Sequence, residues 1–232
     1  MTGFLASVAT LGEMEAARAG GADIVDLKDP ARGALGAWEI KALQEAVTLW
    51  WSWDEPKPLL SATIGDRPME PDDLVEAVER VASKGVPLVK LGLFPAGDPL
   101  ACFKALAPVA ADVKLIAVFF ADRKPDFDLL PELAGCGFSG VMIDTADKAS
   151  GGLRRHLDDR TAGEFVRRAR ALGLMTGLAG SLKLEDVGPL ASLKPDYLGF
   201  RGALCSGVRT GRMSEAAVAR IRSALDARRP AA

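Results

Sequence analysis

Residues that most often serve as metal ligands or as bases for nucleophiles are scarce in this sequence. Its 232 residues include one histidine and three cysteines. Cys102, Cys136 and Cys205 are odd in number and far apart, so they predict neither a disulfide framework nor a His/Cys metal cluster. His156 lies in the polar stretch 154–158, and no G-x-S-x-G motif accompanies it. We therefore expect a surface histidine, no metal site, and neither a Ser-His-Asp nor a Cys-His nucleophile.

An excess of charge of either sign is also missing. The chain has 29 Lys plus Arg against 31 Asp plus Glu, a formal net charge of −2. This balance provides no long-range positive field for a polyanion, so nucleic acid is not an expected partner. No stretch of about 18 uncharged apolar residues occurs, and no basic segment precedes an apolar run at the start. We expect no membrane partner and a cytoplasmic protein.

The remaining composition is that of a folded globular protein, with 49% hydrophobic residues. Its length suits one larger domain, and no linker or low-complexity tract interrupts it, so we expect a single domain over residues 1–232. Trp50, Trp51 and Trp53 form the most unusual local cluster. They indicate either a helix end packed under a loop or a subunit contact, which leaves a homo-oligomer open.

Short runs of β-branched and apolar residues alternate with longer segments of helical periodicity. Eight strands are predicted, at residues 4–8, 24–28, 59–64, 88–93, 115–120, 140–144, 175–179 and 197–200. A helix is predicted after each strand, at residues 13–19, 37–47, 71–83, 99–110, 129–134, 162–172, 185–193 and 215–225. Pro71 suits a first helical turn, and Ser214 is expected to cap the last helix.

Strands that are apolar throughout are typical of a parallel sheet covered by helices. Eight strand–helix pairs in a chain of this size predict a TIM (β/α)8 barrel. The alternative is a doubly wound open sheet, which normally has a G-x-G-x-x-G turn after its first strand. Residues 9–14 read ATLGEM, so the dinucleotide-binding fingerprint is absent.

Lysines and aspartates recur at the predicted carboxyl ends of the strands, where a TIM barrel has its active site. Asp26 and Lys28 end the second strand, and the two-residue period places them on one face. Lys90 lies in an apolar strand, where an unpaired ammonium is costly and its pKa should fall. Asp144 and Lys148 add a carboxylate and an amine at the end of the sixth strand.

Lysines and acids that converge on an apolar barrel mouth indicate Schiff-base chemistry. An amine desolvated beside another cation can attack a carbonyl at neutral pH, and the carboxylates can move protons. The alternative is that such Lys–Asp pairs are inert structural layers, since ion-pair networks also shift pKa values. Lys114 precedes its apolar strand and is expected at the bottom of the barrel, solvated or salt-bridged.

Small residues and one arginine end the seventh and eighth strands: Gly180, Ser181, Arg201 and Gly202. TIM barrels commonly hold a phosphate on backbone N–H groups at this position, so these residues predict binding of a substrate phosphate. The glycines could instead be plain turn residues. Turn geometry alone does not require Arg201, whose guanidinium suits a phosphate.

Seven segments carry a resemblance to a known family. They are residues 20–30 (GGADIVDLKDP), 33–37 (GALGA), 61–66 (SATIGD), 89–93 (VKLGL), 142–146 (MIDTA) with Lys148, 178–183 (LAGSLK) and 199–205 (GFRGALC). In these segments the sequence resembles the (5-formylfuran-3-yl)methyl phosphate synthases, or 4-HFC-P synthases, of methanofuran biosynthesis. The segments follow the family's order over nearly the whole chain. Departures are a shorter stretch after Phe94 and the reading FFAD at 119–122 in place of a small residue and tyrosine before Ala-Asp.

The resemblance implies a lyase that condenses two molecules of glyceraldehyde 3-phosphate into a furan aldehyde phosphate, with loss of phosphate and water and without a cofactor. Lys28 then looks like the Schiff-base lysine and Lys90 like the general acid/base, with Asp26, Asp144 and Lys148 in support. The partner implied is a phosphorylated triose. Methanofuran is an archaeal cofactor with relatives in bacteria of one-carbon metabolism.

Two other functions remain compatible with the residues. A class I aldolase of the deoxyribose-phosphate type also uses a strand lysine as a Schiff base on a phosphosugar. A non-catalytic phosphosugar-binding barrel would bind ligand without forming an imine. Product analysis with and without an added aldehyde separates the two enzymes, and borohydride trapping separates both from the binding protein.

Overall fold

Eight parallel strands close into a barrel in chain order in this computed structural model, which describes residues 2–228. The strands are β1 (Gly3–Val8), β2 (Ile24–Leu27), β3 (Leu59–Thr63), β4 (Leu88–Gly92), β5 (Lys114–Phe120), β6 (Gly140–Asp144), β7 (Met175–Leu178) and β8 (Tyr197–Phe200). Strand β8 pairs in parallel with β1, so the sheet has no free edge. The predicted TIM barrel is confirmed.

Helices cover the barrel and alternate with its strands. They are α1 (Leu11–Ala19), α2 (Ile40–Trp51), α3 (Pro71–Ala82), α4 (Pro99–Ala110), α5 (Leu130–Gly135), α6 (Leu153–His156), α7 (Asp159–Ala171), α8 (Val187–Ser192) and α9 (Glu215–Asp226). Each predicted helix is present, with ends that differ by up to four residues. Helix α6, a single turn between β6 and α7, was not predicted because four residues are too few for a periodic pattern.

Capping residues explain where several helices begin. The Ser214 side chain accepts a hydrogen bond from the N–H of Ala217, as predicted, and Pro71 is the first residue of α3. Helix α7 begins earlier than predicted because the Asp158 carboxylate accepts a hydrogen bond from the N–H of Thr161. A capping side chain stabilises the first turn by about 1 kcal/mol, which is enough to move a helix end by one turn.

Successive residues of each strand point alternately into the barrel interior and outward to the helices. In β2, Ile24 belongs to the apolar cluster inside the barrel, whereas Val25 and Leu27 belong to the cluster between sheet and helices. The period of two therefore places Asp26 and Lys28 on the interior side, toward the carboxyl end. In β4, Leu88 occupies the same inner apolar cluster, which places Lys90 above it. An apolar floor thus lies beneath the charged residues.

The tryptophan cluster ends helix α2. Trp50 and Trp53 are buried, and the indole N–H of Trp50 donates to the Pro58 carbonyl in the loop that leads to β3. Trp51 is 62% exposed. The Lys57 ammonium lies 4.4 Å from the Trp50 ring centroid and 4.6 Å from that of Trp51. The helix end therefore packs under the loop, while a subunit contact through Trp51 stays a prediction.

Two residues that were not predicted to belong to the active site, Lys114 and His156, are both at least partly exposed. Lys114 is exposed at the start of β5, the end opposite the active-site face, as predicted. His156 is partly exposed, and its Nε2 lies 3.1 Å from the hydroxyl of Ser150. Within residues 2–228 no helix has both the length and the apolarity needed to cross a bilayer.

Candidate active site

One cavity of about 300 Å³ lies at the carboxyl end of the barrel. All of the predicted site residues line it: Asp26, Lys28, Lys90, Asp144, Lys148, Gly180, Ser181, Arg201 and Gly202. The lining also includes Ser7 and Arg209, which were not predicted. Its volume falls at the lower end of the range for small-molecule sites, which suits a compact metabolite.

Lys90 and Asp26 are buried side chains in the lining of the cavity. The Nζ of Lys90 lies 2.7 Å from Oδ1 of Asp26, and the hydroxyl of Ser61 donates to the same oxygen over 2.7 Å. Burial lowers the pKa of Lys90, and the Lys28 charge lowers it further, against the opposing effect of Asp26. Lys90 is therefore a buried amine that releases its proton more readily than an exposed lysine.

Two buried polar atoms beside this pair have no hydrogen-bond partner in the described part of the chain. They are Oδ2 of Asp26 and the hydroxyl oxygen of Ser7. Ser7 and Asp26 are register partners on β1 and β2, and both line the cavity. Buried polar groups are nearly always paired in folded proteins, so these atoms are available to a bound molecule.

Asp144 is shared by two lysines at the rim of the cavity. The Lys28 ammonium donates to Oδ2 over 3.2 Å, and the Lys148 ammonium donates to Oδ1. Burial alone would raise the pKa of Asp144, but the charges of Lys148 and Lys28 overcome this and lower it. Desolvation lowers the pKa of Lys148 to about 8, although Asp144 opposes that shift. One carboxylate thus balances two amines.

The pairing differs from the simplest interpretation of strand β2. Asp26 and Lys28 face the same cavity, as predicted, but each has its ion partner on another strand. Asp26 pairs with Lys90 of β4, and Lys28 pairs with Asp144 of β6. Strand period determines which face a side chain occupies. Which oppositely charged side chain it pairs with depends on how the strands are arranged around the closed barrel.

The loops after β7 and β8 bring free backbone donors to the cavity. Gly180 has φ +109° and Ser181 has φ +48°, and a Cβ on Gly180 would lie 3.0 Å from Cγ2 of Thr145. The N–H groups of Gly180, Ser181 and Gly202 have no acceptor within residues 2–228. Unpaired N–H groups at this corner of a TIM barrel are suited to an anion.

The Arg201 guanidinium lines the cavity but is engaged by the protein. Its Nε donates to the Arg209 carbonyl over 2.7 Å, and its Nη2 donates to the Gly211 carbonyl over 3.2 Å. Its Nη1 donates to the Ser7 carbonyl, and both terminal nitrogens donate to the Glu13 carboxylate. These five bonds use all the donors of a guanidinium. Direct contact of Arg201 with phosphate stays a prediction.

Arg209 is the cation that the sequence interpretation missed. It is half-buried at the cavity, and its Nη2 donates to the carbonyls of Pro30 and Gly33, each over 2.9 Å. Burial lowers its pKa, while the charge of Asp144 opposes that shift. The available signal was an arginine between Gly207 and Gly211 in the loop after the last strand, on the active-site side of the barrel.

Comparison with known proteins identifies the family of this chain. A sequence profile described as 4-HFC-P synthase matches residues 4–222. A (5-formylfuran-3-yl)methyl phosphate synthase of Methanococcus aeolicus is 34% identical over 218 residues, which cover 87% of this chain and 89% of that protein. The enzyme of the same name from Methanopyrus kandleri is 36% identical over 201 residues, covering 80% of this chain and 82% of its own.

Solved structures confirm the fold. Phosphoribosyl anthranilate isomerase from Thermus thermophilus superposes with a TM-score of 0.67 over 99% of this chain and 100% of its own, at 17% identity. That identity supports a shared barrel architecture and no more. The sequence profile and the relatives above are specific to one family, and they extend over most of this chain. The chain belongs to the 4-HFC-P synthase family.

Proposed function

We propose that this protein condenses two molecules of glyceraldehyde 3-phosphate into (5-formylfuran-3-yl)methyl phosphate through a lysine Schiff base, without a cofactor. The product would enter the biosynthesis of methanofuran or a bacterial analogue in the cytoplasm. The observation that carries the proposal is the cavity itself, in which three lysines and two aspartates lie beside unpaired backbone N–H groups. Membership of the 4-HFC-P synthase family supports the product.

Lys28 is the proposed imine-forming residue. Its Nζ has one acceptor in the described chain, Oδ2 of Asp144 at 3.2 Å, and that carboxylate is shared with Lys148. Once deprotonated, the amine attacks a substrate carbonyl, and the carbonyl oxygen leaves as water when the imine forms. Asp144 and Lys148 are placed to accept and return the protons of this step.

Lys90 is the proposed base for the next step. Removal of the proton next to the imine carbon converts the bound triose into an enamine. The enamine carbon then forms the new C–C bond with the carbonyl of the second triose. Ring closure and elimination then release phosphate and water, and hydrolysis of the imine frees Lys28 and the product aldehyde. The net loss of one phosphate and two waters balances two trioses against one furan aldehyde phosphate.

The charge of the cavity suits a phosphorylated substrate. Three cations lie near the carboxylate of Asp144 at the rim of the cavity: Lys28, Lys148 and Arg209. The rim therefore carries net positive charge when these three groups and Asp144 are ionised. The free N–H groups of Gly180, Ser181 and Gly202 add donors without charge. Together they provide charge-assisted hydrogen bonds, which are the stronger class for phosphate oxygens.

The proposal is tested by incubating the purified protein with glyceraldehyde 3-phosphate alone. We expect a furan aldehyde phosphate, identified by mass spectrometry and ultraviolet absorbance, and one inorganic phosphate per product. An aldol product formed only with an added aldehyde would support the deoxyribose-phosphate-type aldolase instead. Binding of the triose without product and without a borohydride-trapped adduct would identify a non-catalytic phosphosugar-binding barrel.

A further inference from the structure

We infer that Arg209 supplies the guanidinium that contacts the substrate phosphate, and that Glu13 and Arg201 are positioning residues that hold it in place. The inference rests on the proposed function, because it requires a phosphorylated substrate in the cavity. It assigns direct phosphate contact to a loop residue and gives Arg201, which directly follows strand β8, an indirect role.

Arg209 has donors to spare, whereas Arg201 has none. The Nη2 of Arg209 is occupied by the carbonyls of Pro30 and Gly33. Its Nε and Nη1 have no acceptor within residues 2–228, and the side chain lines the cavity. Three N–H groups of Arg209 therefore remain free to donate to a phosphate oxygen, whereas every donor of Arg201 is engaged by the protein, so Arg209 is the better candidate.

The position of Arg209 also suits the proposed chemistry. Its Nη2 bonds tie the loop after β8 to the loop that follows Lys28. A phosphate on the free N–H groups of Arg209 would therefore lie in the cavity that Lys28 also lines. The charge of Asp144 acts on Arg209, which places both groups at the same rim of the cavity.

Glu13 and Arg201 anchor the segment that carries Arg209. Both side chains are buried, and the Glu13 carboxylate accepts from Arg201 and from the N–H groups of Ala9 and Met213. Arg201 in turn donates to the carbonyls of Arg209 and Gly211. The ion pair thus ties the backbone carbonyls of Arg209 and Gly211 to helix α1.

The segment that carries Arg209 is a loop closed at its base by a β-bridge. Cys205 and Met213 form an isolated antiparallel bridge, and the N–H of Ser206 donates to the Arg212 carbonyl over 3.1 Å. Without Arg201, the carbonyls of Arg209 and Gly211 in this loop would lose a buried charged donor. The pair therefore acts on the substrate through the placement of Arg209.

The test compares Arg209→Gln with Arg212→Gln, an exposed arginine three residues along the same segment. Binding of inorganic phosphate is followed by 31P NMR, and steady-state kinetics are measured with glyceraldehyde 3-phosphate. We expect Arg209→Gln to weaken phosphate binding and raise KM by about ten- to a hundredfold, with a smaller effect on kcat. Arg212→Gln should match the parent, and Arg209→Lys should recover part of the affinity.

A double-mutant cycle tests the positioning role. If Glu13 acts through Arg209, Glu13→Gln raises KM in the parent but adds little in the Arg209→Gln background. Additive effects in a folded double variant would show that Glu13 and Arg201 act on phosphate independently. If Glu13→Gln does not fold, Arg201→Lys replaces it in the cycle, and the Arg209 variants still decide the direct contact.

The outcomes also separate this inference from the proposed function. If the parent makes the furan product and Arg209→Gln binds phosphate as tightly as the parent, the inference on Arg209 is wrong and the proposed function stands. If the parent makes no furan product yet loses phosphate affinity on Arg209→Gln, the anion site stands and the proposed function is wrong.

Discussion

Lys90 and Asp26 form an ion pair inside the barrel, with Nζ 2.7 Å from Oδ1 and both side chains no more than 2% exposed. An inert structural pair would be expected to satisfy all of its polar atoms. Instead, Oδ2 of Asp26 and the neighbouring Ser7 hydroxyl are buried without partners in the described chain. An unpaired buried polar atom lowers the stability of the folded protein by about 1–3 kcal/mol. The arrangement therefore favours a ligand-binding role for this pair over a purely structural one.

Lys90→Gln is expected to separate imine formation from proton removal. The amide cannot accept the proton, so turnover should fall by about a hundred- to ten-thousandfold. Borohydride should still trap an adduct on Lys28, but deuterium exchange from solvent into the carbon next to the substrate carbonyl should stop. Exchange at the parent rate would assign the proton transfer to Asp26, Asp144 or Lys148.

Lys28→Arg is expected to abolish covalent catalysis while keeping the charge beside Asp144. A guanidinium stays protonated and cannot form the imine, so borohydride with glyceraldehyde 3-phosphate should give no adduct. Lys114→Arg is the matched control, since it changes an exposed strand lysine at the opposite end of the barrel. Peptide mass mapping locates the adduct; near-parent turnover of Lys28→Arg would contradict the Schiff base.

Lys148 should make the stability of the protein rise with pH above about 8. Its pKa falls from an ordinary 10.5 to about 8 on folding, so between these values the unfolded chain holds a proton that the folded chain has released. The free energy of unfolding then increases with pH. Urea unfolding of the parent and of Lys148→Met should diverge by about 3 kcal/mol at most across this window. Parallel curves would show an unshifted lysine.

Gly140→Ala should destabilise the barrel, whereas Gly12→Ala should not. A Cβ on Gly140 would lie 2.6 Å from the Met175 carbonyl oxygen, where backbone must move, and the cost should be about 1–3 kcal/mol. Gly12 is exposed in α1 with no atom within 4 Å of a Cβ. Alanine there should stabilise by about 0.5–1 kcal/mol. Urea unfolding compares the two; equal stabilities would contradict the close packing.

The fold was largely predictable because its signals are local. An apolar run identifies a buried strand, and the two-residue period assigns each of its side chains to a face. Strands β6 and β8 were predicted with their observed ends, and each of the other six strands differs by one residue at one end. Helix ends were less accurate, since a cap such as Asp158 shifts a boundary that periodicity alone leaves open.

The candidate site was predictable in its residues but not in its contacts. Each predicted residue lines one cavity, because parallel strands bring their carboxyl ends to the same face. Arg209 was not predicted, since it lies in a loop whose course no periodicity describes. Its placement depends on Glu13 and Arg201, which are 188 positions apart in the chain.

The sequence by itself determined the barrel class and the inward faces of Asp26, Lys28 and Lys90, because these follow from the two-residue period and local composition. It also carried the resemblance to the family, through segments spread over most of the chain. Tertiary structure alone decided the ion partners. Lys28 meets Asp144 across 116 positions of sequence, although Asp26 lies only two residues away. Side chains two apart in a strand share a face but project in parallel, so barrel closure determines which opposite charge each one reaches.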